Sequence, residues 1–182
     1  MDLHLKGKKV FISGSTKGIG FETARLFLEE GATVIINGRT KKSVESALSS
    51  LNSDNVSGLV ADFLKDSQVE TLIDHIPNDI DILVNNVGIF RGKEFKDETV
   101  DDWNDHFKVN LMSGVQLSKH FLPEMIKRNW GRIIFISSEC ATLVPSDLLS
   151  YSVSKASINV FSSGLAKLTK GTNVTINTVI PG

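Results

Sequence analysis

The chain has 182 residues, 20 Lys and Arg against 21 Asp and Glu, and a formal net charge of -1, a length that supports one buried core rather than two. Charges of both signs are interleaved, so no basic stripe suits a phosphate backbone, and nucleic acid is excluded as an expected partner. Cys140 is the single cysteine, which excludes an internal disulfide or a multi-cysteine metal site and fits a reducing, cytoplasmic setting.

The first residues, Met1 to Lys9, carry charge but lead into no apolar run of signal-peptide length. Later apolar runs are strand-sized, far below the roughly 18 residues of a membrane helix, so a soluble protein away from membranes is expected. Short β-branched runs predict strands at 10–12, 33–36, 56–61, 80–84, 132–136 and 174–179. Between them lie helical patterns at 21–30, 41–51, 66–76, 99–126 and 151–168. Unbroken apolar strands alternating with helices describe an α/β fold, a doubly wound parallel sheet in a three-layer sandwich, here as a single domain over 1–182. Its ligand crevice is expected at the C-terminal ends of the strands. The last helix carries Val153, Ala156, Ile158, Val160, Phe161, Leu165 and Leu168. That arc is wider than a one-sided helix needs, and it fits either a subunit contact or a helix sandwiched in its own domain.

After the first strand comes Ser13-Gly14-Ser15-Thr16-Lys17-Gly18-Ile19-Gly20, a G-x-x-x-G-x-G turn that opens into a helix. Glycines permit a tight turn and close backbone approach, and free N–H groups at a helix start attract a pyrophosphate. A plain structural turn would look similar; the flanking strand and helix favour the dinucleotide reading. The second strand ends in Asn37-Gly38-Arg39. An acidic side chain there would bind the ribose 2′-OH of NAD, whereas Arg accommodates a 2′-phosphate. The spacing resembles the T-G-x-x-x-G-x-G turn of the short-chain dehydrogenase/reductase family, with Ser13 where that family usually has Thr. Gly38 fills the position where NAD-selecting relatives carry Asp, and Lys17 stands where many NADP-binding relatives carry a base. Arg39 and Lys17 together favour NADP(H) over NAD(H). Asp62-Phe63 resembles the family's adenine-contacting position, and Asn85-Asn86-Val87-Gly88 resembles its N-N-A-G motif, with Val87 for Ala.

Tyr151-Ser152-Val153-Ser154-Lys155 places a phenol and an ammonium four residues apart on one helix face. A cation at about 4 Å and effective dielectric ~20 would stabilise the phenolate by up to about 3 pK units. A bare Y-x-x-x-K recurs by chance. Ser138, thirteen residues earlier at a strand end, and Asn110 in Lys108-Val109-Asn110 stand where the family has its substrate-orienting serine and its helix asparagine. By that resemblance Tyr151 is the general acid, Ser138 bonds the carbonyl oxygen, Lys155 binds the nicotinamide ribose and lowers the Tyr151 pKa, and Asn110 holds a relay water. The cofactor set it implies is Gly14 to Gly20, Arg39, Asp62, Phe63, Asn86, Val87, Gly88, Tyr151, Lys155 and the terminal Pro181-Gly182. His4, His75, His106 and His120 are scattered without paired-ligand spacing, so no metal is expected. Cys140 reads as packing, Trp103 and Trp130 as packing anchors, and Glu139 receives no role.

The resemblance runs from the first strand of a Rossmann-type fold to Pro181-Gly182, where typical members continue with a substrate loop, a pairing helix and a seventh strand. The expectation is therefore six strands with the C-terminal part missing. The implied function is an NADP(H)-dependent oxidoreductase, 3-oxoacyl-carrier-protein-reductase-like or another ketoreductase. It would act on a small carbonyl or alcohol substrate and be dimeric or tetrameric in full length. The alternatives are a non-catalytic NADP-binding module and an inactive fragment of a larger reductase. Ketoesters on acyl carrier protein, sugars, steroids and xenobiotic ketones all remain open as substrates.

Overall fold

The computed structural model describes residues 3–182, so Met1 and Asp2 of the charged N-terminal stretch lie outside the described residues. Six strands form one sheet: β1 Lys9–Ile12, β2 Thr33–Gly38, β3 Val56–Val60, β4 Ile82–Asn85, β5 Gly131–Ile136 and β6 Val174–Val179. Their order is β3-β2-β1-β4-β5-β6, and every adjacent pair is parallel, with Val10 opposite both Val34 and Ile82. The central strands are buried on both faces, which is why their sequences are apolar without alternation.

The helices are α1 Gly18–Glu29, α2 Lys41–Leu51, α3 Asp66–His75, α4 Val100–His106, α5 Ser113–Lys127, α6 Cys140–Leu143 and α7 Leu149–Ala166. Right-handed crossovers put α1 and α2 on one face, since β1 to β3 step one way, and the later helices on the other. The two cores follow this division. Ala24 and Ala47 pack with Val10, Ile12, Val34, Ile36 and Val84 on one face. On the other, Val69, Leu72, Leu117, Phe121 and Ile158 pack with Phe11, Leu83, Ile133 and Phe135. The direction of winding reverses between β1 and β4, so the crevice opens above these two strands.

The expected helix over 99–126 is divided. Thr99 starts α4 with a reciprocal capping box to Asp102, and a π-helical turn, Phe107–Met112, separates α4 from α5. Asn110 lies in that wider turn, which rotates it out of the register of a continuous helix. The helix predicted to start at Tyr151 begins at Leu149, and α6 is an added single turn before it. Along α7 Ile158 is buried, and Phe161 and Leu165 pack on the core, while Val153, Val160 and Leu168 are exposed. Trp130 is clasped between Lys8 and Arg132, 3.7 and 4.6 Å from its ring centroid, and so anchors the start of β5.

Candidate active site

The turn after β1 is held by short polar bonds to two neighbouring strand ends. Asn37 Oδ1 accepts from Gly14 N at 3.0 Å, and Ser15 N donates to Asn37 O at 2.8 Å. Ser13 Oγ accepts from Asn86 N and Val87 N, each at 3.1 Å, so the serine in the usual threonine position ties the turn to the end of β4. Gly14 has φ +62, and a Cβ there would stand 2.8 Å from Val87 Cα. Gly18 has φ +58 with nothing within 4 Å of a built Cβ, so its open side faces the crevice. The first turn of α1 receives no side-chain cap and has no acidic residue. Its unpaired N–H groups therefore point outward, the donor set that a pyrophosphate needs.

A cleft of about 750 Å³ runs from this turn across the strand ends, lined by Gly14, Thr16, Lys17, Gly18, Arg39, Asp62, Phe63, Asn86, Val87 and Gly88 among others. It joins, at Asn86, Gly88, Ile89 and Phe90, a hollow of about 280 Å³ lined by Ile19, Ser138, Glu139, Tyr151, Lys155, Pro181 and Gly182. Of the expected cofactor residues, Ser15 and Gly20 stand apart: both are buried beneath the turn, outside either wall. Ser15 Oγ donates to Ile12 O at 2.7 Å and accepts from Asn37 N at 3.0 Å, a structural duty. Lys17 and Arg39 are exposed at the rim and enter no ion pair among the described residues. A side chain at Gly38 would collide with the Thr16 methyl and reach Ser43 Oγ at 3.0 Å, so glycine there keeps this end of the cleft open.

At the other end Lys155 is 4% exposed, and its Nζ donates to Ile136 O at 2.8 Å. Burial lowers its pKa to about 8. Nζ stands 5.9 Å from the Tyr151 ring centroid. Tyr151 itself is pushed above the usual tyrosine value by burial, which outweighs a hydrogen bond to Ser138 that favours the phenolate. The Tyr151 shift thus runs opposite to the lowering expected from Lys155: desolvation of the phenol is its largest cause, and it keeps the group protonated. Asn110 does not line the cleft. Its Oδ1 accepts from Ile89 N at 2.7 Å, and its Nδ2 donates to Ser154 Oγ at 2.9 Å and Ile89 O at 3.2 Å. A Cβ on Gly88 would lie 3.3 Å from Asn110 Oδ1 and 3.4 Å from Lys155 Nζ. A side chain at position 88 would thus press on both the amide and the ammonium.

Sequence reasoning named Ser13 and Asn37 only as motif positions and gave Ser154 no role; in the structure they fix the turn and Asn110. It also passed over Phe90, whose ring meets Tyr151 edge-on at 5.0 Å. The polar residues Asn37 and Ser13 at apolar strand ends were a usable signal; Ser154 inside Y-x-x-x-K was not. Cys140 is half-buried and its N–H donates to Ser138 Oγ at 3.2 Å, so its backbone orients that hydroxyl.

Residues 8–182 match the family model described as short chain dehydrogenase. The chain is 46% identical over 185 residues to an uncharacterized oxidoreductase, YvrD, of Bacillus subtilis (strain 168), covering 100% of this chain and 70% of the relative. It is 35% identical over 188 residues to the 3-oxoacyl-[acyl-carrier-protein] reductase FabG of Aquifex aeolicus (strain VF5), covering 100% and 76%. A solved short chain dehydrogenase/reductase family protein superposes with TM-score 0.93 at 30% identity, over 100% of this chain and 76% of that one. A putative NAD(P) dependent gluconate 5-dehydrogenase from Beutenbergia cavernae, with bound NADP at low occupancy, superposes with TM-score 0.88 at 26% identity, over 98% and 73%.

Proposed function

The chain belongs to the short-chain dehydrogenase family of oxidoreductases, and from that premise we propose that it interconverts a carbonyl and a secondary alcohol with NADP(H) as the hydride carrier. The observation that carries the reading is the convergence of Ser138, Tyr151 and Lys155 on one hollow that continues into the cleft beneath the glycine turn. The residues present suit the cofactor: uncapped amides at the start of α1 for a pyrophosphate, and Lys17 and Arg39 at the far rim for a 2′-phosphate. When bound, the nicotinamide supplies the hydride to the carbonyl carbon.

Every other step belongs to this chain. Ser138 Oγ donates to the substrate oxygen and orients the carbonyl. The Tyr151 hydroxyl, kept protonated by burial, gives its proton to that oxygen as negative charge develops on it, and the product is the alcohol. The resulting phenolate is met by the Lys155 ammonium on the same helix face. Lys155 returns a proton to Tyr151, and Asn110, fixed by Ile89 and Ser154 at the Gly88 wall, keeps the water that links Lys155 to solvent. Oxidation of an alcohol runs the same steps backwards, with Tyr151 as base. The similarity to 3-oxoacyl-[acyl-carrier-protein] reductases supports a ketoreductase. The lone cysteine supports a cytoplasmic setting. Exposed Val153, Val160 and Leu168 on and after α7 support self-association as a dimer or tetramer. The test is to follow NADPH oxidation against a panel of aldehydes, simple ketones and 3-keto thioesters, beside equilibrium titrations of NADPH and NADH. Turnover of at least one carbonyl and tighter NADPH binding are expected; tighter NADH binding would overturn the cofactor assignment.

A further inference from the structure

Behind Tyr151 lies a polar cluster that the proposed chemistry does not use. Glu98, in the loop before α4, accepts at Oε1 from Ser150 Oγ at 2.5 Å and from Ser150 N at 3.2 Å. Ser150 Oγ also lies 3.0 Å from His106 Nδ1. Ser150 and His106 are 0% and 1% exposed. The His106 ring meets the Tyr151 ring edge-on, with centroids 6.1 Å apart and planes at 69°. Phe90 closes the phenol in from a second direction.

A hydroxyl has one proton to give. An O–H to carboxylate contact of 2.5 Å is in the charge-assisted range, so the Ser150 proton goes to Glu98. Its lone pairs then face His106, and Nδ1 must carry the imidazole proton. The Asp102 backbone, one turn back on α4, favours the imidazolium. This ordering leaves Nε2 as a bare acceptor, buried without a partner, and Glu98 Oε2 is likewise buried and unpartnered. Buried polar atoms are rarely left so. Protonation would turn Nε2 into a donor and place a cation against the Tyr151 ring, with Glu98 as counter-charge across Ser150.

We propose that the Glu98–Ser150–His106 network positions Tyr151, clamping the first turn of α7, and couples its ring to the protonation state of His106; this rests on Tyr151 as the reacting acid. The charges facing His106 are Glu98 across Ser150, Asp102 on its own helix, and Arg91 on the loop after β4. Arg91 is paired with Asp105 and Lys93 with Asp102, each at 2.7 Å. Glu98 and Asp102 favour the imidazolium, while burial and Arg91 oppose it. Burial is the larger effect and holds His106 below the usual histidine value. The network is neutral at His106 near pH 7 and switches only in acid.

Tyr151 is the only tyrosine in the chain, so protein labelled with ¹³C at tyrosine Cζ gives one ring-carbon signal that reads this site alone. The wild-type signal should titrate with an inflection below pH ~6.5, the ordinary histidine value. His106→Asn, which keeps a donor in place of Nδ1 and cannot titrate, should abolish the inflection and keep the neutral-form position and most of kcat. His106→Phe fills the ring space without a donor. It should displace the signal at every pH and lower kcat about tenfold, the worth of one hydrogen bond, with the NADPH KM unchanged. A flat wild-type titration, or an inflection that persists in His106→Asn, overturns the proposal, and the wild-type measurement needs no variant to fold. Loss of turnover in Tyr151→Phe beside a flat wild-type signal would sink this inference alone. Normal turnover in Tyr151→Phe would sink the catalytic reading while leaving the ring titration to be read.

Discussion

Replacing Lys155 by methionine should stabilise the protein on its own while ending its turnover. The ammonium is 4% exposed and its pKa falls to about 8 through burial. Against ~10.4 in the unfolded chain this amounts to roughly 3 kcal/mol held against the folded state. The hydrogen bond from Nζ to Ile136 O at 2.8 Å returns about 1.5–3 kcal/mol, as expected for a charged donor. Methionine keeps the stem's volume and removes both contributions, so at pH 7 the variant should gain about 1 kcal/mol. The pH dependence is the sharper part. Below about 8 both states of the wild type hold the proton and the penalty is present in full. Between there and ~10.4 the folded chain releases it first, so wild-type stability rises with pH relative to the variant by about 3 kcal/mol. Urea unfolding of both proteins at pH 7 and pH 10 checks this. A gap between the two that is the same at both pH values would refute the reasoning.

Three further outcomes are expected. Arg39→Ala should weaken NADPH binding about tenfold or more, the worth of a charge-assisted contact to phosphate, and leave NADH binding unchanged in calorimetric titration. Gly88→Ala puts a methyl 3.3 Å from Asn110 Oδ1 and 3.4 Å from Lys155 Nζ; pressing on both groups, it should slow kcat more than it lowers the melting temperature, measured side by side. His106 has a folded pKa below its unfolded value of ~6.5, so the unfolded chain takes up the proton first. Stability should therefore fall as pH drops below ~6.5, and in His106→Asn that part of the loss should vanish in pH-dependent unfolding.

The sheet was legible because its strands are buried on both faces, and Val10-Phe11-Ile12 or Ile82-Leu83-Val84 have no other stable place. The glycine turn was legible because positive φ at Gly14 and Gly18 restricts residue choice. The break in the helix at 107–112 was not, since an inserted residue in a π-helical turn keeps the same residue types and needs neither Pro nor Gly. The sign of the Tyr151 shift was misread for a related reason. The burial of the phenol is a tertiary quantity, and it is the largest cause of the shift. His106 was set aside as one of four scattered histidines; its partners Glu98 and Ser150 are 8 and 44 residues away, a separation no local pattern reveals. The resemblance gave Asn110 a relay water; in the structure its amide bonds Ile89 and Ser154, so it acts first as the clasp that holds the wall at Gly88.

The proposed role of Tyr151 is to deliver the proton in a carbonyl reduction. Its most direct test is NADPH oxidation on the best carbonyl of the panel by wild type and by Tyr151→Phe, with NADPH affinity measured on both. In the variant kcat should fall by about 10²–10⁴, the range for a positioned general acid, while NADPH binds with unchanged affinity. Turnover by the phenylalanine variant at the wild-type rate would contradict it.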